Sequence, residues 1–117
     1  MSKAKVAILR TSPQTVIDDY QRLCDLTKIK KALDPKKKTI LKDNITWHFL
    51  YPGVNTTPWQ LEGTILSLKK NGFSDIVDVH NNTVVTDPFK GEKLNKYIPV
   101  YEKYDIPRLY NFNGDHM

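Results

Sequence analysis

Short apolar runs of strand length alternate along the chain with longer segments whose apolar residues recur at helical spacing. The runs that predict β-strands are residues 5–9, 39–41, 75–79 and 108–112. Helices are predicted after Pro13, after Pro58 and around residues 94–101. Strands that alternate with helices favour βαβ units, which have parallel strands and right-handed crossovers. The pattern therefore predicts one α/β domain over residues 1–117, a small three-layer sandwich with a mainly parallel sheet of about four strands.

Both long helices are predicted to begin at a hydroxyl residue followed by proline. Ser12 precedes Pro13, and a serine side chain at this position accepts an N–H of the first turn. Thr57 precedes Pro58 in the same way, and proline fits there because the N–H that it lacks would have no helical partner. Pro99 would clash inside a continuous helix, so the last helical region should be kinked or divided into two short helices.

The cysteine count and the amino-terminal residues indicate in which cellular compartment the protein is expected. Cys24 is the only cysteine, so the chain cannot form an internal disulfide or hold an iron–sulfur cluster by itself. Met1 is followed by Ser-Lys-Ala-Lys and not by an apolar signal segment, which favours a cytoplasmic location. Every apolar run is far shorter than the about 20 residues that span a bilayer, so we expect no membrane association.

The chain is basic, with a net charge of +5 from 18 basic and 13 acidic residues. Six of the lysines lie between residues 28 and 38. Such a cluster attracts phosphate-bearing partners, but Asp34-Pro35 marks a turn, where solvated lysines are common. The motifs of nucleic-acid binders do not accompany the cluster, so we do not expect a nucleic-acid partner.

Polar side chains follow the predicted strands at their carboxyl ends. Ligands bind at this edge in open parallel sheets, and two predicted helix N-termini would open there with unpaired N–H groups that favour an anion. We therefore predict a site for a small anionic ligand. Its predicted residues are Arg10, Ser12, Lys42, Asn44, Thr56, Thr57 and Asn81. The alternative is that the hydroxyl residues only cap helices and the asparagines only complete turns.

Candidate catalytic side chains are few. His48 and His80 are suited to proton transfer near neutral pH, and Asp43 is a candidate general base. The alternatives are that His48 packs between Trp47 and Phe49 and that Asp43 belongs to a turn. No second ligand lies at a metal-binding spacing such as H-x-x-x-H, so we expect no metal site. The usual dinucleotide, phosphate-loop and hydrolase motifs do not occur, and the sequence identifies no cofactor.

Two short segments carry a family resemblance. Residues 41–44 read LKDN and residues 56–58 read TTP, in an order that is similar to the amino-terminal half of the domain of unknown function family 362. Members of that family have an I-K-P-N-like segment and a T-x-P helix start at these places, but no settled activity to carry over. Some longer members include a ferredoxin-type module that binds 4Fe–4S clusters, which implies redox association for them. This chain lacks the cysteines of that module, so we expect no iron–sulfur cluster on it.

The resemblance also bears on self-association. Typical members continue for another domain-sized length, which would cover a sheet edge or close the cleft. A chain of this length would protect the same surface most simply as a homo-oligomer. The aromatic residues expected at such an interface are Trp47, Phe49, Tyr51 and Trp59. The alternative is that these aromatic residues fill the core of the monomer.

Three classes of function stay open from the sequence. The first is binding of a small anionic ligand at the carboxyl ends of the strands. The second is a redox-associated or isomerase-like enzyme domain, in which His48, His80 or Asp43 acts in an incomplete active site. The third is a structural or assembly module without a small ligand.

Overall fold

A computed structural model describes residues 3–112 and confirms the α/β class. Its elements in chain order are α1 (Val16–Thr27), α2 (Ile29–Ala32), β1 (Thr39–Leu41), α3 (Pro58–Lys70), β2 (Ile76–His80), α4 (Pro88–Leu94), α5 (Ile98–Tyr104) and β3 (Arg108–Tyr110). Within the described residues, none of these helices has the length and apolar character needed to cross a bilayer.

The three strands form one parallel sheet in the order β1-β2-β3. In the register, Leu41 of β1 pairs with Asp78 of β2, and His80 pairs with Tyr110 of β3. β2 is the middle strand and every one of its residues is buried, as expected for a strand covered on both faces. Its alternation places Ile76, Asp78 and His80 on the same face of the sheet.

The strand predicted over residues 5–9 does not form, so the expectation of about four strands is wrong and the sheet has three. Val6 and Ile8 are 79% and 90% exposed in an extended segment without regular structure. The run is β-branched and apolar, but a strand is stabilised by its cross-strand neighbours, and this segment has none in the sheet.

The helix starts agree with the sequence at α3 and disagree at α1. Thr57 caps α3 as predicted, since its side chain accepts the N–H of Gln60. In contrast, α1 begins at Val16 and not at Pro13, and Ser12 instead closes a preceding turn through its carbonyl group, which accepts the N–H of Thr15 at 3.1 Å. The last helical region is divided as expected: α4 ends before α5, and a proline lies in the first turn of α5.

The core lies between β2, α3 and α5. Its buried apolar residues are Leu61, Ile65, Leu68, Phe73, Ile76, Tyr97, Val100, Tyr101 and Ile106. The helix α1 packs against α3, where a Cβ atom on Gly63 would lie only 2.5 Å from Cδ2 of Tyr20. Glycine is therefore required at position 63 for the two helices to approach this closely.

Candidate functional site

Ionisable side chains gather on one face of the central strand. Asp78 and His80 point to the same face of β2 and expose only 0% and 1% of their surface. Asp43 reaches them from the loop that follows β1, Glu92 from α4 and Tyr101 from α5. We call these five residues the buried cluster. Because isolated buried charges are costly, the contacts among them decide what the cluster can do.

His80 stands at the centre of the buried cluster. Its Nδ1 lies 3.3 Å from Oδ1 of Asp43, and its Nε2 lies 3.1 Å from Oε1 of Glu92. The hydroxyl group of Tyr101 is 3.1 Å from the same Nε2 and donates to Oδ2 of Asp43 at 2.9 Å. Since the Tyr101 hydrogen is committed to Asp43, Nε2 is the donor toward the Tyr101 oxygen.

These contacts favour the protonated form of His80. Burial alone would disfavour the charged ring, but the contacts with the carboxylates of Asp43 and Glu92 outweigh it and raise the pKa of His80 to about 9. In this state both ring nitrogens carry hydrogen and both face acceptors. The imidazolium therefore balances part of the negative charge of the buried carboxyl groups around it.

Asp78 is the member of the buried cluster whose side chain has the fewest hydrogen-bond partners. Neither of its carboxylate oxygens has a hydrogen-bond partner among residues 3–112. Nε2 of His80 lies 3.9 Å from Oδ1 of Asp78, which is beyond hydrogen-bond distance. Burial and the nearby charge of Asp43 raise the pKa of Asp78 to about 7. A buried carboxyl group without a hydrogen bond lowers the stability of the fold, and a further bonding partner would offset that loss.

The outer side of the buried cluster is closed by β3. The Tyr110 hydroxyl donates to Oε1 of Glu92 at 2.7 Å, and its ring stacks on His80 with centroids 5.8 Å apart. The Arg108 guanidinium lies 5.1 Å from the centre of the Tyr101 ring. β3 and the loop after β1 thus both contribute to the surroundings of His80.

A small pocket lies beside the buried cluster, between the end of β1 and the start of α3. Its volume of about 150 Å³ is roughly that of five water molecules in the liquid. It is lined by Leu41, Lys42, Asp43, Thr56, Gln60, Leu61 and Thr64. Asp43 belongs both to this wall and to the buried cluster, so it connects the pocket with His80. We call this space the β1–α3 pocket.

Two of the predicted ligand-binding residues, Lys42 and Thr56, line the β1–α3 pocket. Lys42 is exposed, and its ammonium group donates to the carbonyl oxygen of Asp43 at 2.9 Å. Thr57 stands next to the pocket as the N-cap of α3. Because Pro58 has no N–H and Thr57 accepts that of Gln60, this helix start has few free N–H groups for an anion.

The remaining predicted ligand-binding residues lie elsewhere. Asn44 organises the loop after β1: its backbone N–H donates to Oγ1 of Thr56 and its amide donates to the carbonyl oxygen of Val54. Asn81 is exposed just beyond β2. Arg10 is exposed on the extended amino-terminal segment, and Ser12 lines a different cavity beside α1. The structure therefore does not bring all seven residues to one edge.

His48 lies outside the buried cluster. Its ring stacks on Trp47 with centroids 4.3 Å apart and lies 4.6 Å from the ring of Phe49. Its Nδ1 accepts the backbone N–H of Asp87, which begins α4. These contacts are those expected for a histidine packed among aromatic side chains, the alternative raised by the sequence.

Sequence reasoning missed Asp78, Glu92 and Tyr101. The first had a signal: Asp78 and His80 interrupt an otherwise apolar strand at a spacing of two, which places two ionisable groups on one buried face. A search at helical spacing does not detect this pattern. Glu92 and Tyr101 come from separate helices that fold back on β2, and their neighbours in the sequence do not indicate this contact.

Comparisons with protein families, with curated proteins and with solved structures found no match to this chain. The resemblance to the domain of unknown function family 362 therefore stays a prediction, and the site must be interpreted from its own geometry.

Proposed function

We propose that this domain binds a small molecule through a carboxylate or phosphate group in the β1–α3 pocket. The observation that supports this proposal is that the pocket combines a lysine ammonium group with hydroxyl and amide side chains at the start of a 13-residue helix. Its volume of about 150 Å³ is large enough to hold one such group.

The donors of the pocket are available to a ligand. A lysine ammonium group has three N–H donors, and the contact with the carbonyl oxygen of Asp43 uses one of them. Thr56 accepts the N–H of Asn44, which leaves its own hydroxyl hydrogen free to donate. Gln60 and Thr64 are four residues apart in α3 and therefore lie on one face of the helix.

The carboxylate of Asp43 in the pocket wall repels an anion, so groups on its interior side must balance its negative charge. The imidazolium of His80, 3.3 Å from Oδ1 of Asp43, and the Tyr101 hydroxyl on Oδ2 supply that balance. This arrangement also favours a second function, proton transfer, because Asp43 both lines the pocket and lies 3.3 Å from His80. In that function Asp43 would exchange a proton with the ligand while His80 stabilises its ionised form.

A thermal-shift screen with inorganic phosphate, sugar phosphates, nucleotides and small carboxylic acids tests the proposed binding. A ligand present at 100 times its Kd adds about 2.7 kcal/mol of stability, enough to raise the Tm by several degrees. The shift should be lost in Lys42→Ala and kept in Lys36→Ala, which removes the same charge from an exposed turn. Equal shifts in both variants, or none in the wild type, would instead favour a structural module without a small ligand.

A further inference from the structure

Three side chains of the buried cluster have the donor atoms and the separations that a metal ion requires. One atom each of Asp43, Asp78 and His80 can be chosen so that all three lie within 4.8 Å of one another. In a tetrahedral site with bonds of about 2.0–2.2 Å, the ligand atoms lie about 3.4 Å apart. The three donor atoms would therefore move closer by up to about 1.4 Å on binding an ion, and a fourth ligand would complete the coordination.

Asp78 supplies an independent reason to expect a ligand at this place. Its side chain is fully buried, and neither carboxylate oxygen has a hydrogen-bond partner among the described residues. Oδ1 of Asp43 also lacks a hydrogen bond, although it lies 3.3 Å from His80 Nδ1. Buried polar atoms in native proteins are nearly always paired. Three buried carboxylate oxygens that lack a hydrogen bond, on two neighbouring side chains, are an arrangement that a cation would satisfy.

The charges of the buried cluster point the same way. Three carboxyl groups, Asp43, Asp78 and Glu92, face a single imidazole ring. Even when that ring is protonated it carries one positive charge, and the guanidinium of Arg108 lies over the ring of Tyr101. A divalent ion adds the missing positive charge where the acidic side chains converge.

We propose that Asp43, Asp78 and His80 bind one divalent transition-metal ion of the Zn²⁺ or Mn²⁺ class, between the end of β1 and the face of β2. Two carboxylates and a neutral imidazole form a mixed oxygen and nitrogen donor set that both ions accept, so His80 releases one proton to the solvent when the ion binds. Glu92, whose Oε1 lies 3.1 Å from Nε2 of His80, either joins as a fourth ligand or orients the ring. The site does not depend on the proposed anionic ligand, because every donor belongs to the protein.

Isothermal titration of the chelator-treated protein with ZnCl₂ and with MnCl₂ tests the proposal in a buffer without phosphate or carboxylates. We expect one ion per chain for at least one metal, and about a 100-fold or greater loss of affinity in Asp78→Asn. The matched control is Asp75→Asn, which removes an exposed carboxylate just before β2 and should bind as the wild type does. No saturable binding, or equal affinity in the two variants, would overturn the proposal.

A measurement on the wild type covers the case in which Asp78→Asn fails to fold. The ring nitrogens of His80 are followed by ¹H–¹⁵N NMR during the zinc titration, with His48 as the internal comparison because its ring packs outside the buried cluster. We expect the His80 resonances to move and to saturate at one equivalent. Movement confined to His48 would mean that the ion binds only at the surface and would exclude the buried site. Since no anionic ligand is present, a failure to bind metal would not count against the proposed function of the β1–α3 pocket, which the thermal-shift screen tests separately.

Discussion

Nδ1 of His80 lies 3.3 Å from Oδ1 of Asp43, and neither side chain exposes more than 2% of its surface. Asp43 comes from the loop after β1 and His80 from the end of β2, so this pair joins two parallel strands at their carboxyl ends. Asp43 also lines the β1–α3 pocket, so His80 lies directly behind one wall of that pocket.

Asp43→Asn should strongly destabilise the chelator-treated protein. Removing one member of a buried ion pair typically costs about 3–5 kcal/mol when the other charge is left without a partner. Because Glu92 stays 3.1 Å from Nε2 of His80, the loss should lie at the lower end of that range. The control Asp75→Asn breaks a pair with Lys38 in which both side chains are more than half exposed, and such pairs contribute about 1 kcal/mol or less. Urea unfolding of the three proteins measures the difference. Similar losses of stability in the two variants would show that the buried pair stabilises the fold no more than the exposed pair does.

The contact of α1 with α3 should not tolerate a side chain at position 63. In Gly63→Ala the new methyl group would lie 2.5 Å from Cδ2 and 2.9 Å from Cγ of Tyr20, and overpacking of this kind costs about 1–3 kcal/mol. Gly53→Ala is the control, because a Cβ atom there has no neighbour within 4 Å. Thermal unfolding should show a clear loss for the first substitution and little change for the second. Equal melting temperatures would contradict the close packing of these helices.

Glu62 should contribute stability that disappears in acid. The Tyr104 hydroxyl donates to Oε1 at 2.6 Å and Lys103 donates to it at 2.9 Å, and these bonds lower the pKa of Glu62. A lowered pKa in the folded state stabilises the protein above the unfolded-state pKa, and this contribution is lost as the pH falls through the folded-state pKa. Glu62→Gln should therefore be less stable than the wild type at pH 7, with the difference shrinking toward pH 3.

The measurement is the urea midpoint of wild type and Glu62→Gln at both pH values. Glu102→Gln removes an exposed carboxylate from α5 and serves as the control for general charge effects. If the difference between wild type and Glu62→Gln were the same at both pH values, the contribution of Glu62 would not come from its ionised form.

Self-association through exposed aromatic residues stays a prediction that the structure sharpens. Phe49, Tyr51 and Trp59 are 45%, 54% and 43% exposed, so they do not fill the core of the monomer. We expect light scattering after size exclusion to give a mass above the 13.6 kDa of one chain, and Tyr51→Ser combined with Trp59→Ser to reduce it. A monomer at every concentration tested would remove this prediction.

The sequence predicted best those elements whose signals are local. The start of α3 was predicted correctly because Thr57 and Pro58 carry the capping chemistry in adjacent positions. Residues 5–9 were wrongly predicted as a strand because their composition favours extended structure, whereas strand formation depends on a neighbour elsewhere in the chain.

The candidate site was predicted only in part for the same reason. Asp43, Lys42 and His80 could be proposed because they follow or end apolar runs, where parallel strands present ligands. Glu92 enters the buried cluster from α4, and no spacing within the chain relates it to His80. A contact between distant helices and a strand depends on how the whole core packs, which a single sequence does not reveal by periodicity.

The middle position of β2 decides how fast solvent can reach its acidic and basic groups. Because β2 pairs with both neighbours and carries Asp78 and His80 on its covered face, no local fraying of an edge exposes them. Amide hydrogens of residues 77–79 should thus exchange with deuterium only through near-complete unfolding, and so rank among the slowest in the molecule. Asp43, which lines the β1–α3 pocket and as a whole residue is 7% exposed, is the member of the buried cluster through which a proton or ion could enter without that rare opening.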